Sequence, residues 1–98
     1  MKAIAKVGDQ IIAESENTIQ IEGNHYFPPE DVKKEVLHKT STSTHCPWKG
    51  DASYYTVEAD GRKLEDAAWY YPQPKSAAEK IKNYVAFWKG VAVEETQS

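Results

Sequence analysis

A chain of 98 residues can bury one modest hydrophobic core but not two, so we expect a single domain. Its formal net charge of -3 argues against duplex DNA or structured RNA as the main partner, because phosphate binding requires a basic surface. A single cysteine excludes an intrachain disulfide, and no apolar run is long enough to span a bilayer, which together favour a soluble cytoplasmic protein.

Short strands separated by glycine turns are predicted in the first part of the chain. Residues 3–7 and 10–14 flank a Gly-Asp dipeptide, which is typical of a two-residue hairpin turn. Residues 18–22 alternate between polar and apolar side chains, as a half-buried strand does, and a Gly-Asn dipeptide then turns the chain into residues 25–27. These segments predict an antiparallel meander.

The next segment begins with two prolines and two acids. Pro28 to Val32 is predicted to form a helical first turn, because proline is tolerated there and acids favour the positive end of the helix dipole. The tract Thr40 to Thr44 is rich in hydroxyl groups and in β-branched residues, which indicates either a loop or an exposed edge strand. A turn built on Pro47 and Gly50 follows.

A hairpin is most strongly indicated in the second half of the chain. Ser53 to Ala59 and Arg62 to Tyr71 are rich in β-forming residues and are joined by Asp60-Gly61. Ser76 to Glu79 matches a capping box that would begin a short helix, with Asn83 as the candidate for its end.

The fold class is therefore mainly β: one small domain of antiparallel strands with one or two short helices. The domain is predicted to span residues 1–94, and residues 95–98 are predicted to be a frayed tail. Neighbours in a strand point to opposite faces, so Tyr54 and Tyr55 place large rings on both faces of the sheet. Since one small core rarely absorbs so many rings, we expect part of the aromatic surface to line a groove.

Four motifs in a fixed order carry a resemblance to a known family. They are Gly23 to Pro29; Thr44 to Gly50 with Ala52 and Tyr54; Ala67 to Trp69 with Tyr71, Pro72 and Pro74; and Val85 to Trp88. The chain resembles the domain-of-unknown-function family numbered 427 over nearly its whole length. The resemblance implies a strongly bent antiparallel sheet of the kind called a β-tent. Some catalogues place the family under a nucleotidyltransferase-type heading, but no established reaction can be carried onto particular residues.

Cys46 is the first candidate for catalysis, since a thiolate beside cationic groups is a competent nucleophile. His45 is adjacent, but successive residues of an extended segment project to opposite sides, which weakens it as a base for Cys46. Lys49, or His25 or His38 brought in by folding, is a better partner. The alternative is that Cys46 is a small buried hydrophobic residue before a turn.

Metal-dependent chemistry finds little support in the residue pattern. The histidines and the cysteine lack the paired short spacings of a structural zinc site, so no metal is expected. Two-metal nucleotidyl transfer needs carboxylates that converge on one face. The acids at 14–16 and 58–60 lie at strand ends, where acids are usually solvated, and no glycine-rich phosphate loop is present. The cofactor stays unknown.

The predicted function is the binding of a small molecule in an aromatic-lined groove beside the turn from Thr44 to Gly50. The candidate ligand-binding residues are Tyr26, Thr44, Trp48, Lys49, Tyr54, Trp69 and Tyr71. Two other classes stay open. One is an enzyme, either based on Cys46 or of nucleotidyltransferase type, and the other is a protein-interaction module whose exposed rings form a homodimer or partner surface.

Overall fold

The computed structural model describes residues 1–97, which form nine β-strands and three short 3₁₀ helices. The strands are β1 (Lys2–Val7), β2 (Gln10–Ser15), β3 (Ile19–Ile21), β4 (Asn24–Tyr26), β5 (Leu37–Cys46), β6 (Gly50–Ala59), β7 (Arg62–Tyr70), β8 (Val85–Phe87) and β9 (Ala92–Thr96). The 3₁₀ helices are Pro29–Asp31, Lys34–Val36 and Ser76–Ile81. The prediction of a mainly β domain is confirmed.

The strands form three antiparallel sheets, with the orders β2-β1-β9, β3-β4 and β5-β6-β7-β8. Two of the hairpins use turns in which both central residues have positive φ. Asp60 and Gly61, between β6 and β7, have φ values of 50° and 71°. Glu22 and Gly23, between β3 and β4, have φ values of 55° and 80°. Such turns match the right-handed twist of the strands they join, which explains why both hairpins form. The second turn lies one residue earlier than the predicted Gly23-Asn24 turn, since Asn24 already belongs to β4.

The predicted helices are shorter than the sequence indicates. The turn after Pro28 ends at Asp31, because Val32 leaves it to form an isolated β-bridge with Ala13. The capping box at Ser76 does not form: Lys75 is the residue at the N-cap position, and its side chain makes no capping hydrogen bond. Its carbonyl accepts instead from the Ala78 amide, so the helix begins as a tight 3₁₀ turn.

The hydroxyl-rich tract from Thr40 to Thr44 is an edge strand and not a loop. It lies within β5, which pairs with β6 alone, and most of its residues are exposed. The register of β5 against β6 shifts between Lys39 and Ser43, which marks an irregularity of the β-bulge type in this edge. Irregular, polar edges discourage pairing with other strands.

The buried residues form two hydrophobic cores on opposite faces of the four-stranded sheet, so the prediction of a single core is wrong. The first core contains Ala3, Ala5, Val7, Ile12, Ala13, Phe27, Val32, Val36, Val57, Ala59, Ala67, Ala68, Val85, Phe87 and Val91. The second core contains Tyr26, Ala52, Tyr54, Tyr71, Ala78, Ile81 and Ala86. Alternation along the strands makes this division, since Tyr26 and Phe27 are neighbours that point into different cores. Most of the aromatic rings that the sequence predicts to line a groove are therefore buried in one of the two cores.

Strand β9 completes the three-stranded sheet along the outer side of β1. It continues through Thr96, so Glu95 and Thr96, which the sequence assigns to a frayed tail, pair with Ala3 and Lys2 instead. Ser98 lies outside the described residues. Between residues 1 and 97 there is no helix with the length and hydrophobicity needed to cross a membrane.

Candidate functional site

The turn between β5 and β6 is held from outside by the segment that follows β7. The Lys75 amide donates to the Lys49 carbonyl at 2.9 Å, and the Lys75 ammonium donates to the Pro47 carbonyl at 2.7 Å. Gly50 has a φ of 112°, and a Cβ atom there would lie 3.3 Å from the Gln73 carbonyl oxygen. Only glycine suits this conformation and this close approach, which fixes the position of the turn.

Lys49 is the central charged group of this turn, and its side chain is only 7% exposed. Its ammonium donates to the Glu22 carboxylate at 2.5 Å. The same nitrogen lies 5.3 Å from the centre of the Trp48 ring and 5.5 Å from that of Tyr71. A buried lysine needs a partner for its charge, and here one carboxylate and two aromatic faces provide it.

The ionisation of this pair follows from its surroundings. Burial is the largest single effect on the pKa of the Lys49 ammonium and would lower it, but the hydrogen bond to Glu22 and the charge interactions with Tyr26, Tyr71 and Glu22 together raise that pKa. The same hydrogen bond lowers the pKa of Glu22. Burial raises the pKa of Tyr71, although Lys49 partly opposes the increase. The pair is therefore an ammonium and a carboxylate beside a neutral phenol at neutral pH.

Glu22 reaches Lys49 from an unusual backbone position. It occupies the first central position of the β3–β4 turn with a φ of 55°, where asparagine, aspartate or glycine is favoured. Its side chain is 54% exposed, so the carboxylate closes the site from the solvent side. The strained backbone of Glu22 is maintained while its side chain pairs with Lys49, and a conformation of this kind is often found at a functional site.

The predicted rings lie together beneath Lys49. The Trp69 indole donates to the Tyr26 hydroxyl at 3.2 Å, and the two rings meet edge to face at 6.1 Å. Tyr26 also contacts Tyr71, with ring centres 6.4 Å apart. Tyr26 and Tyr71 are buried, whereas Trp69 is half-buried and Trp48 is 40% exposed. Surface for stacking is thus offered mainly by Trp48, and the buried rings form the layer below it.

Thr44 and Tyr54 support the turn from within the sheet. They are near neighbours on β5 and β6, and their hydroxyl groups are joined by a hydrogen bond of 2.9 Å. Tyr54 is buried in the second core. Because each hydroxyl already has a partner, these two residues hold the strands together at the base of the turn.

Cys46 and His45 lie on opposite sides of β5, as the alternation of a strand requires. The half-buried Cys46 packs against the second core. His45 is exposed and its Nδ1 lies 2.8 Å from Asp51.

The other two histidines are also engaged elsewhere. His25 lies between Thr18 and Glu95, at 2.8 Å from each, and His38 is 3.5 Å from Glu58. Of the predicted partners of the thiol, Lys49 is the one that lies in the turn directly after Cys46, and the ammonium of Lys49 is bound to Glu22.

The part of the chain from residue 1 to 97 contains no group of three or more histidine, cysteine, aspartate or glutamate side chains arranged to hold a metal ion. The candidate acids lie apart from the turn. Glu14 pairs with Lys2 at 2.9 Å, and Glu58 faces His38.

Two residues of the site escape prediction from the sequence. Glu22 lies in the β3–β4 turn, 27 residues before Lys49, and Lys75 follows a proline-rich segment that indicates only a strand terminus. A signal for Glu22 does exist: a glutamate before glycine in a two-residue turn is a poor turn former, so another role for its side chain can be suspected.

Fold and site together define a small mainly β domain with a paired lysine enclosed by aromatic rings at one hairpin turn. The chain belongs to the family described as a domain of unknown function, DUF427, whose family model matches residues 2–98. The resemblance found in the sequence motifs is thereby confirmed. A comparison with curated proteins finds no match.

Proposed function

We propose that this domain binds a small planar ligand with an anionic group at the turn that carries Trp48 and Lys49. The observation that carries the proposal is the buried Lys49 ammonium, placed between the Trp48 and Tyr71 rings and closed off by an exposed carboxylate. An ammonium in such surroundings is a strong site for an anion, because the low local dielectric strengthens the attraction. In the free protein, Glu22 occupies the anion position.

In this proposal the neighbouring residues stack on the ligand and exclude water from Lys49. The exposed Trp48 indole supplies the surface on which a flat ring stacks. Tyr71, with Tyr26 and Trp69, forms the apolar layer that keeps water from Lys49. A ligand carboxylate or phosphate would displace the Glu22 side chain, which is free to swing into solvent from its hairpin.

Ligand binding is favoured over a catalytic role in which Cys46 is the nucleophile. A cysteine nucleophile needs a base within hydrogen-bond reach. Each histidine makes its contacts elsewhere: His45 with Asp51, His25 with Glu95, and His38 with Glu58. Cys46 fits better as a side wall of the aromatic layer, where a thiol behaves as a small polarizable hydrophobic group.

Titration of the protein with adenosine monophosphate tests the proposal, with adenosine as the uncharged match. We expect saturable quenching of tryptophan fluorescence by the nucleotide and at least tenfold weaker binding of adenosine. Substitution Trp48→Ala should abolish the response. Trp88→Ala is the control, because Trp88 is similarly exposed, at 43%, and contacts the aromatic layer only at Trp69, with ring centres 5.5 Å apart, whereas Trp48 lies next to the Lys49 ammonium.

Substitution Glu22→Gln gives the second part of this test. It removes the carboxylate that competes for Lys49, so the affinity for the nucleotide should rise several-fold. Equal binding by wild type, Trp48→Ala and Trp88→Ala would show that the turn is not the site. An unchanged or reduced affinity in Glu22→Gln would show that the ligand anion does not take the place of Glu22.

A further inference from the structure

A pocket separate from the Lys49 turn lies on the other face of the four-stranded sheet, beside the first two 3₁₀ helices. Its volume is about 460 Å³, within the range of small-molecule pockets. The residues around it are Pro29, Val32, Lys34, Leu37, Lys39, Tyr55, Tyr70, Asn83 and Val85. Because neighbouring strand residues alternate, Tyr54 faces the Lys49 turn side of β6 and Tyr55 faces this pocket. The two sites are therefore separate.

Two tyrosines form the aromatic wall of the pocket. The Tyr55 and Tyr70 rings are stacked, with centres 4.5 Å apart and an angle of 19° between their planes. Both are half-buried and pack against the first core, so their positions are fixed before any ligand arrives. Burial raises the pKa of Tyr55 to about 12, with the neighbouring Tyr70 adding to the effect. Tyr55 thus stays neutral at physiological pH and can donate a hydrogen bond.

The charges around the pocket are of one sign. Lys34 and Lys39 line it, and no aspartate or glutamate does. Elsewhere on the surface, lysines such as Lys2 and Lys6 are paired with glutamates. Within residues 1–97, neither Lys34 nor Lys39 forms an ion pair or a side-chain hydrogen bond. In a chain with a net charge of -3, an apolar pocket bordered by two unpaired lysines is complementary to an anion.

We infer that this pocket is a binding site for a small aromatic carboxylate. The ring of the ligand lies in the apolar floor made by Val32, Leu37 and Val85, against the edge of the stacked tyrosines. Its carboxylate points to the opening, where Lys34 and Lys39 supply charge-assisted hydrogen bonds. A long-chain anion fits less well, because the stacked phenols make a flat wall of limited length.

Binding of 2-naphthoate, measured by calorimetry and by amide chemical shifts, tests this inference. 2-Naphthamide is the neutral match of the same shape. We expect at least tenfold tighter binding of the carboxylate, with shifts at Tyr55 and Tyr70 and not at Trp48. The double substitution Lys34→Gln with Lys39→Gln should weaken the binding of 2-naphthoate at least tenfold and leave that of 2-naphthamide unchanged.

The matched control is the double substitution Lys33→Gln with Lys63→Gln. It removes the same number of charges from exposed lysines that lie outside this pocket, and it should change binding less than twofold. All four lysines are exposed, so none of these variants is expected to unfold. If both double variants lost the same affinity for 2-naphthoate, the loss would be explained by the change in net charge alone, and the inference would be overturned. Equal binding of the two naphthalene compounds, or no saturable binding of 2-naphthoate, would overturn it as well.

Discussion

Lys49 is buried among aromatic rings, where a lysine is stable only when its charge has a partner. Glu22 provides that partner from the tip of another hairpin, at the cost of a backbone conformation that glutamate rarely adopts. The turn that contains the densest chemistry in the sequence is therefore completed by a residue from a different sheet.

The lowered pKa of Glu22 makes part of the stability depend on pH. A carboxyl whose pKa is lower in the folded state stabilises the fold above its unfolded value of 4.5, and this contribution is lost as the pH falls through the folded pKa. We expect wild type to be more stable than Glu22→Gln at pH 7, and the difference to shrink as the pH falls below 4.5. Urea unfolding of both proteins from pH 7 to pH 3 measures it.

Glu35→Gln is the control for this experiment. Glu35 is an exposed glutamate that forms no ion pair within residues 1–97, so its substitution should leave the stability nearly unchanged at every pH. A stability difference for Glu22→Gln that stays constant from pH 7 to pH 3 would contradict the role of its charge.

Among the elements, the edge strand β5 is tied to β7 across the strand between them. Thr40 and Thr42 both donate to the Asp66 carboxylate, at 2.9 Å and 2.8 Å. The Asp66 carbonyl accepts from the Trp88 indole at 2.6 Å. Asp66 itself has a φ of 53°, which aspartate tolerates better than most residues. The hydroxyl-rich tract therefore serves to anchor the edge of the sheet.

Substitution of Asp66 tests this anchor. Asp66→Ala removes both acceptors and places a residue with no local stabilisation at positive φ, so the free energy of unfolding should fall by about 1–3 kcal/mol. Asp66→Asn keeps one acceptor oxygen and the tolerance of positive φ, and should cost less. Denaturant unfolding compares the two. Equal losses would mean that the threonine hydrogen bonds contribute nothing measurable.

A comparison of Gly50 with Gly61, both of which have positive φ, distinguishes the effect of backbone strain from that of steric contact. A Cβ atom on Gly50 would press against the backbone at Gln73, whereas a Cβ atom on Gly61 would meet open space. Gly61→Ala should therefore cost about 1 kcal/mol from backbone strain alone. Gly50→Ala should cost more and should shift the amide signals of Lys75. Thermal unfolding and amide spectra measure both effects, and equal losses for the two variants would rule out a steric role for Gly50.

At the scale of the whole molecule, the two cores are joined where β4 meets β8. The Phe27 amide donates to the Val85 carbonyl at 2.8 Å, and the Val85 amide donates to the Phe27 carbonyl at 2.9 Å. The Phe27 ring packs edge to face on Phe87, with centres 5.6 Å apart. One residue thus links the small β3–β4 sheet, the four-stranded sheet and the first core.

This linkage predicts cooperative unfolding of the domain. Phe27→Ala should lower the free energy of unfolding by about 3–5 kcal/mol, because it leaves a cavity at a fully buried position. The loss should be the same by tryptophan fluorescence, which reports on Trp48, Trp69 and Trp88, and by far-ultraviolet circular dichroism, which reports on all sheets. Separate transitions by these probes would show that the sheets unfold independently.

The sequence predicts the hairpins well and the site only in part, for physical reasons that differ. Local turn chemistry such as Asp60-Gly61 identifies strands that pair with their neighbours in the chain. The placement of Trp48 and Lys49 at a turn follows from Pro47 and Gly50 in the same way. Contacts between distant segments carry no local signal, so the pairing of Lys49 with Glu22 is invisible beforehand.

The packing of the aromatic rings cannot be predicted from the sequence either. Strand alternation shows that Tyr54 and Tyr55 face opposite ways, but not that one enters a core and the other borders a pocket. The short helices are overestimated for a related reason, since tertiary contacts such as the Val32 bridge to Ala13 end them early. Local preference is a weak guide where long-range pairing competes.

The two hydrogen bonds from Lys75 to the turn carry a kinetic consequence. For the ligand binding proposed above, a turn that is already held in one conformation needs no ordering of its backbone, so the entropic cost of association should be small. Stopped-flow traces should then be single exponentials whose rate rises linearly with ligand concentration. Lys75→Met removes the ammonium hydrogen bond to Pro47 and leaves the amide hydrogen bond to Lys49, and this loosening of the turn should introduce a plateau in that rate, which is expected when a loop must first become ordered.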